Sequence, residues 1–127
     1  MAIQDFVAGQ VLTAAQMDAL QANDYNQTVS NKTASYTLVA ADKGTRIVMS
    51  NAGATTITVN TSLFAAGDTL FIQNIGAGTC TISAVTPGTT TVLSAGSVAA
   101  APTLAQYKSA ALIKTGTDAW YVVGAIG

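Results

Sequence analysis

The chain has no histidine, no glutamate, a single cysteine and two prolines in 127 residues. Each absence closes off chemistry. Without histidine, a nucleophilic serine or cysteine would need an aspartate or a lysine as its base. Neither a Ser-x-x-Lys nor a Gly-x-Ser-x-Gly pattern occurs. A zinc site wants several Cys or His ligands, and a calcium loop wants clustered carboxylates. The six aspartates are dispersed, and Asp42, Asp68 and Asp118 sit in glycine-containing turns, where Asp bonds nearby backbone. No catalytic residue, cofactor or metal ligand is assigned, and the expectation is a protein that is not an enzyme. Cys80 has no partner for an internal disulfide. In Thr79-Cys80-Thr81-Ile82 it occupies the place of a small core hydrophobe.

Charge is scarce as well. Only 9% of residues are charged, against about 25% in ordinary soluble domains. The five cations (Lys32, Lys43, Arg46, Lys108, Lys114) are scattered and the net charge is −1, so no basic stripe awaits a nucleic acid. No apolar run approaches the roughly 18 residues of a membrane span. Half of the chain is nonetheless apolar, which excludes disorder driven by excess charge. The opening MAIQDFVAGQ lacks the basic region and long apolar core of a signal peptide. Synthesis in a cytoplasm is therefore expected, with few charges to keep copies apart.

What is present is rhythm. Thr13 and Gln16 have capping-box spacing, and Leu12 and Met17 can staple across it, so a short helix should run from Thr13 towards Asn23. Residues 27–33, QTVSNKT, look like a connector. Beyond them the period is two: Tyr36–Val39, Arg46–Ser50, Thr55–Val59, Thr69–Asn74, Thr79–Ala84, Thr89–Leu93, Tyr107–Lys114 and a closing strand. Ile57 and Val59 share one face of their strand, Thr56 and Thr58 the other. Gly76-Ala77-Gly78 precedes a β-branched run rather than a helix, which favours a hairpin turn over a phosphate cradle. Short strands at roughly ten-residue spacing predict a mainly β fold of seven or eight strands, an antiparallel β-sandwich or barrel-like domain.

The last strand is apolar on both sides. Trp120 and Val122 fall on one face, Tyr121 and Val123 on the other, with Ile126 beyond. A single two-layer sheet should leave one face polar, and a small domain has little interior to cover both. The favoured solution is an oligomer, with Trp120, Tyr121, Val122, Val123 and Ile126 at the contact between identical chains. The alternative is a central strand whose two faces the same chain covers. Tyr36, Tyr107, Trp120 and Tyr121 could stack sugars, but they do not cluster in sequence, and core or interface is the commoner fate of such residues.

Ala34-Ser35-Tyr36-Thr37-Leu38-Val39-Ala40-Ala41-Asp42-Lys43-Gly44-Thr45-Arg46-Ile47-Val48-Met49-Ser50-Asn51, followed by Thr55–Val59, resembles a β-rich module recurrent in virion proteins of tailed bacteriophages. Phe64–Leu70, Gly76–Ile82 and Ala111-Leu112-Ile113-Lys114 with Asp118–Gly124 agree with it in order, and residues 85–106 are its least regular part. The leader Phe6-Val7-Ala8-Gly9-Gln10-Val11-Leu12-Thr13-Ala14-Ala15-Gln16-Met17 is similar to the opening of phage tail-fibre and minor structural proteins. The resemblance implies a non-enzymatic, homotrimeric virion component without cofactors. Residues 1–31 would be an anchor arm that attaches through Phe6, Val11, Leu12, Met17 and Leu20, and residues 32–127 an outward β domain. With only an anchor and one module, a capsid decoration (cement or head-spike) protein is favoured, its partners being itself and the major capsid protein, at the virion surface. The alternative is a short tail-fibre, collar or baseplate protein that binds a host-surface glycan. A third reading is a carbohydrate-binding module.

Overall fold

The computed structural model describes Gly9, Val11 and residues 13–18, 27–95 and 101–126. Residues 14–18 form a helical turn. The ten strands among the described residues are β1 (Val29–Lys32), β2 (Tyr36–Thr37), β3 (Arg46–Met49), β4 (Thr55–Val59), β5 (Thr69–Asn74), β6 (Cys80–Ala84), β7 (Thr91–Ser94), β8 (Thr103–Leu104), β9 (Ser109–Gly116) and β10 (Ala119–Gly124). They make two sheets, ordered β1-β3-β5-β9-β10-β7 and β2-β4-β6-β8.

The mainly β expectation holds, but the antiparallel sandwich or barrel does not. The body resembles a solenoid. From β1 to β6 each strand pairs in parallel with the strand one coil away, β1 with β3, β3 with β5, β2 with β4 and β4 with β6. Up to β9, consecutive strands therefore lie in opposite sheets. Arg46 stands beside Phe71 and Thr55 beside Cys80, the same step along the chain. Alternating apolar residues settle which side of a strand faces inward and leave its neighbour open. Strand spacing is the same for a hairpin series and for a chain that crosses to the facing sheet at each corner. β1 also lies within the expected connector, straddling the boundary drawn at residue 31. Its Val-Ser-Asn-Lys sequence has no buried residue, as suits a sheet edge.

Glycine acts at the corners by close approach. Gly76-Ala77-Gly78 is not a hairpin turn; it carries the chain from β5 to β6 and stacks on the corner Asn51-Ala52-Gly53 of the previous coil. The Gly78 N–H donates to the Asn51 carbonyl at 3.0 Å, and the Ile75 N–H to Met49 at 2.9 Å. A Cβ on Gly76 would overlap the Asn51 backbone, and one on Gly78 the Gly53 carbonyl. Asn74, fully buried, completes this corner. Its Nδ2 donates to the carbonyls of Gly78 and Leu104, both at 2.8 Å, and its Oδ1 accepts from the Gly76 N–H at 3.0 Å. A polar group so enclosed must be satisfied this completely.

The closing strands change the pattern. The antiparallel pair β9–β10 wedges between β5 and β7, so β10 is flanked by β9 on one side and by a parallel β7 on the other. Inward from both sheets come Leu38, Ile47, Met49, Ile57, Val59, Leu70, Ile72, Cys80, Ile82, Val92, Leu104, Leu112, Trp120 and Val122, which form one core. Cys80 is in that core, as its position in the sequence suggests.

One buried corner carries a titratable pair. The Tyr36 hydroxyl donates to Asp42 Oδ2 at 2.9 Å, which also accepts the Val39 N–H at 2.8 Å. Desolvation, then the hydrogen bond to Asp42, pushes the Tyr36 phenol up to about 12. The neutral phenol is the folded form, so its contribution is complete below the ordinary tyrosine value near 10 and fades as pH rises towards about 12. Tyr36→Phe should therefore lower stability at pH 8 by about 1 kcal/mol. The difference from wild type should shrink above pH 10 in urea titrations.

Candidate functional site

The two outer faces of the molecule differ in chemistry. On the four-stranded sheet, Thr37, Thr58 and Ser83 form one row across the strands, and Thr56, Thr81 and Thr103 another. These hydroxyls give a surface that water wets without charge. On the six-stranded sheet the register aligns Leu93, Tyr121, Ile113 and Thr69 in one row. Val123, Ala111, Phe71, Arg46 and Val29 form a second. Tyr121 is 46% exposed, Val123 57% and Val29 54%. The Arg46 guanidinium lies over the Phe71 ring, 5.1 Å from its centroid, so the cation in this belt is itself laid flat on an aromatic face. An apolar band running from one edge of a sheet to the other is unusual for a surface left in water.

The expectation that both faces of the last strand await a neighbour is corrected in part. Trp120 and Val122 are each 1% exposed and covered by their own chain. Ile126 is partly buried against the same core. Tyr121 and Val123 remain outward. The wedge explains this division, because a strand in the middle of a sheet has a core side as well as an outer side.

At the other end of the chain the expected capping box is present. The Gln16 N–H donates to Thr13 Oγ1 at 3.2 Å, and the Thr13 N–H to Gln16 Oε1 at 2.9 Å. Val11 and Met17 are exposed. Phe6, Leu12 and Leu20 lie outside the described residues. The segment leads into Thr28, whose carbonyl accepts the Arg46 N–H at 2.9 Å. The arm therefore joins the body at β1, the edge of the six-stranded sheet farthest from β7.

A cleft of about 320 Å³ lies between the corner that joins β4 to β5 and the turn that joins β9 to β10. Ser62, Phe64, Ala65, Ala66, Lys114, Gly116, Thr117 and Asp118 line it. Lys114 is buried, and its Nζ donates to the carbonyls of Leu63 at 2.7 Å and Phe64 at 2.8 Å. Asp118 Oδ1 accepts the Ser62 N–H at 2.5 Å. The Phe64 ring packs on Trp120 with centroids 5.6 Å apart. Three residues of this cleft hold left-handed backbone, Ser62 at φ 59°, Phe64 at 63° and Asp118 at 49°. Such backbone is costly for a non-glycine residue and gathers at functional sites.

Sequence reasoning placed Lys114 among scattered charges and Asp118 in a turn. The alternation held a further signal: Lys114 shares its strand face with Leu112 and Ala110, both buried. A lysine on a core-facing position calls for a specific partner. Asp68, like Asp42, does the local work expected of it, accepting the Ala65 N–H at 2.8 Å. Among the described residues, no group of three or more His, Cys, Asp or Glu could hold a metal ion, and no helix is long and apolar enough to cross a membrane.

No protein-family model, no curated protein and no solved structure was found to match this chain.

Proposed function

We propose that the chain is a non-enzymatic structural protein of a bacteriophage virion, a capsid decoration protein that attaches through its N-terminal segment and assembles as a homotrimer. The observation that carries the assembly part is the apolar belt on the six-stranded sheet, set against hydroxyl rows on the other. Three copies turned about an axis would bury the belts against one another and leave the hydroxyl faces wet. The low overall charge supports close packing of identical subunits. The segment before β1 joins the body at the sheet edge, at the same end of the strands as the β9–β10 turn, which would let that end of each subunit grip a particle. The residues that resemble phage virion modules supply the virion assignment.

The reading is tested in two steps. Analytical ultracentrifugation of the purified protein should give a trimer. The Tyr121→Glu/Val123→Glu double variant should be monomeric with an unchanged circular dichroism spectrum, since both side chains point outward. A folded wild-type monomer at micromolar concentration would reject the assembly. Added to purified phage heads, the protein should bind them and raise their thermal stability, and deletion of residues 1–25 should abolish the binding. Indifference to heads with capture by tails would replace the decoration role by the tail-fibre, collar or baseplate alternative.

A further inference from the structure

The cleft between residues 61–66 and 114–118 carries more than the fold requires. Lys114 is 6% exposed, and an ammonium group has three protons to donate. Two go to the carbonyls of Leu63 and Phe64. Among the described residues the one ion pair is Lys43 with Asp68, so none of their carboxylates lies within ion-pairing distance of the Lys114 ammonium. This buried cation is held by two neutral carbonyls and stands 5.6 Å from the Trp120 ring centroid, which leaves one N–H at the cavity wall without an oxygen acceptor among the described residues. Asp118, across the cleft, commits Oδ1 to the Ser62 N–H and keeps Oδ2 as an acceptor. Ser62 and Thr117 add hydroxyls, which both donate and accept. Phe64, Ala65 and Ala66 make the apolar wall.

We infer that this cleft binds a saccharide, with Lys114 and Asp118 as its polar handles and Phe64 as the wall against which a sugar ring lies. The chemistry selects this class. A sugar ring presents hydroxyls that each donate and accept, together with an apolar C–H face, and the cleft offers donors, acceptors and an aromatic edge in the same small space. Inorganic phosphate would meet the Asp118 carboxylate, and a simple cation would meet Lys114. The volume, about 320 Å³, is at the low end of small-ligand pockets and suits one or two rings. Three left-handed residues fix the two loops that face each other, so the site is formed before a ligand arrives. The inference goes beyond the virion assignment and stands or falls separately from it.

The test is nuclear magnetic resonance of the 15N-labelled full chain titrated with methyl glycosides of neutral hexoses, N-acetylhexosamines and hexuronic acids. Inorganic phosphate and glycine serve as comparison probes. At least one glycoside should give saturable shifts confined to residues 61–67 and 114–119, with a dissociation constant of about 1–10 mM. Asp118→Asn keeps the Oδ1 acceptor and tolerates left-handed backbone, so the fold survives. It should weaken that glycoside at least about tenfold, as expected for loss of a charged hydrogen bond. Thr117→Val, at an exposed position, should weaken it without shifting the melting temperature. No saturable shift at these residues, saturation by phosphate or glycine alone, or binding indifferent to both substitutions would overturn the assignment.

Discussion

Trp120→Ala is expected to destabilise the protein by about 3–5 kcal/mol, the range for removing a fully enclosed large aromatic from a core. Trp120 is 1% exposed and occupies the wedge, where β10 is held between β9 and β7. Its ring carries Phe64 on one side and has the Lys114 Nζ 5.6 Å from its centroid. Truncation leaves a cavity under the loop that forms the cleft, and neighbours anchored by sheet hydrogen bonds cannot collapse into it. Trp120→Phe should lose only about 1–2 kcal/mol, because it keeps the ring contact and removes an indole N–H that is buried without a partner. The sequence has one tryptophan, so urea unfolding has to be followed by circular dichroism in these variants. A loss below about 1 kcal/mol for the alanine variant would mean that the ring is not enclosed as described.

Gly78→Ala should cost about 3 kcal/mol, the upper range of overpacking effects. The sign makes this decisive. Where backbone permits, Gly→Ala stabilises by about 0.4–1 kcal/mol through the unfolded chain. At Gly78 the new methyl would overlap the Gly53 carbonyl, and at Gly76 the Asn51 backbone. Both are backbone atoms of one tight corner, whose Asn51 carbonyl accepts the Gly78 N–H, and they cannot swing aside as a flexible side chain would. Relief requires the two corners to part, which breaks the Gly78–Asn51 bond and disturbs the Asn74 contacts. Ala77→Ser, on the exposed residue between them, should change stability by less than about 0.5 kcal/mol. Equal tolerance at positions 77 and 78 would contradict the stacking of coils.

Much of the local structure was legible in the residues. β4 and β5 lie where alternation placed them, Ile57 and Val59 face the core, Cys80 is enclosed, and Thr13 caps with Gln16. Pairing was not legible. Which strand lies next to which depends on corners that meet across a whole coil, and Gly76 and Gly78 look the same in a hairpin turn as in a stacked corner until the opposing backbone is known. β1 was hidden because an edge strand needs no apolar alternation, and β8 because two residues carry no period. Of the last strand, alternation separated Trp120 and Val122 from Tyr121 and Val123 but could not say that the same chain covers the first pair. The cleft was the least visible feature. Its walls come from two turns far apart in sequence, and its one early sign was a lysine in register with leucine and alanine on β9.

The wedge also sets a timetable for synthesis. A ribosome releases β1 to β6 in the order in which they stack, so each nascent coil can dock on the one before it. β7 emerges next and finds no place, since its partner in the sheet is β10. It must wait, unpaired, while β8 and β9 are translated. The six-stranded sheet is therefore complete only once β10 has joined β9, already able to pair with β5, to β7, and a chain ending before residue 119 would hold an unfinished layer with its Trp120 site unfilled.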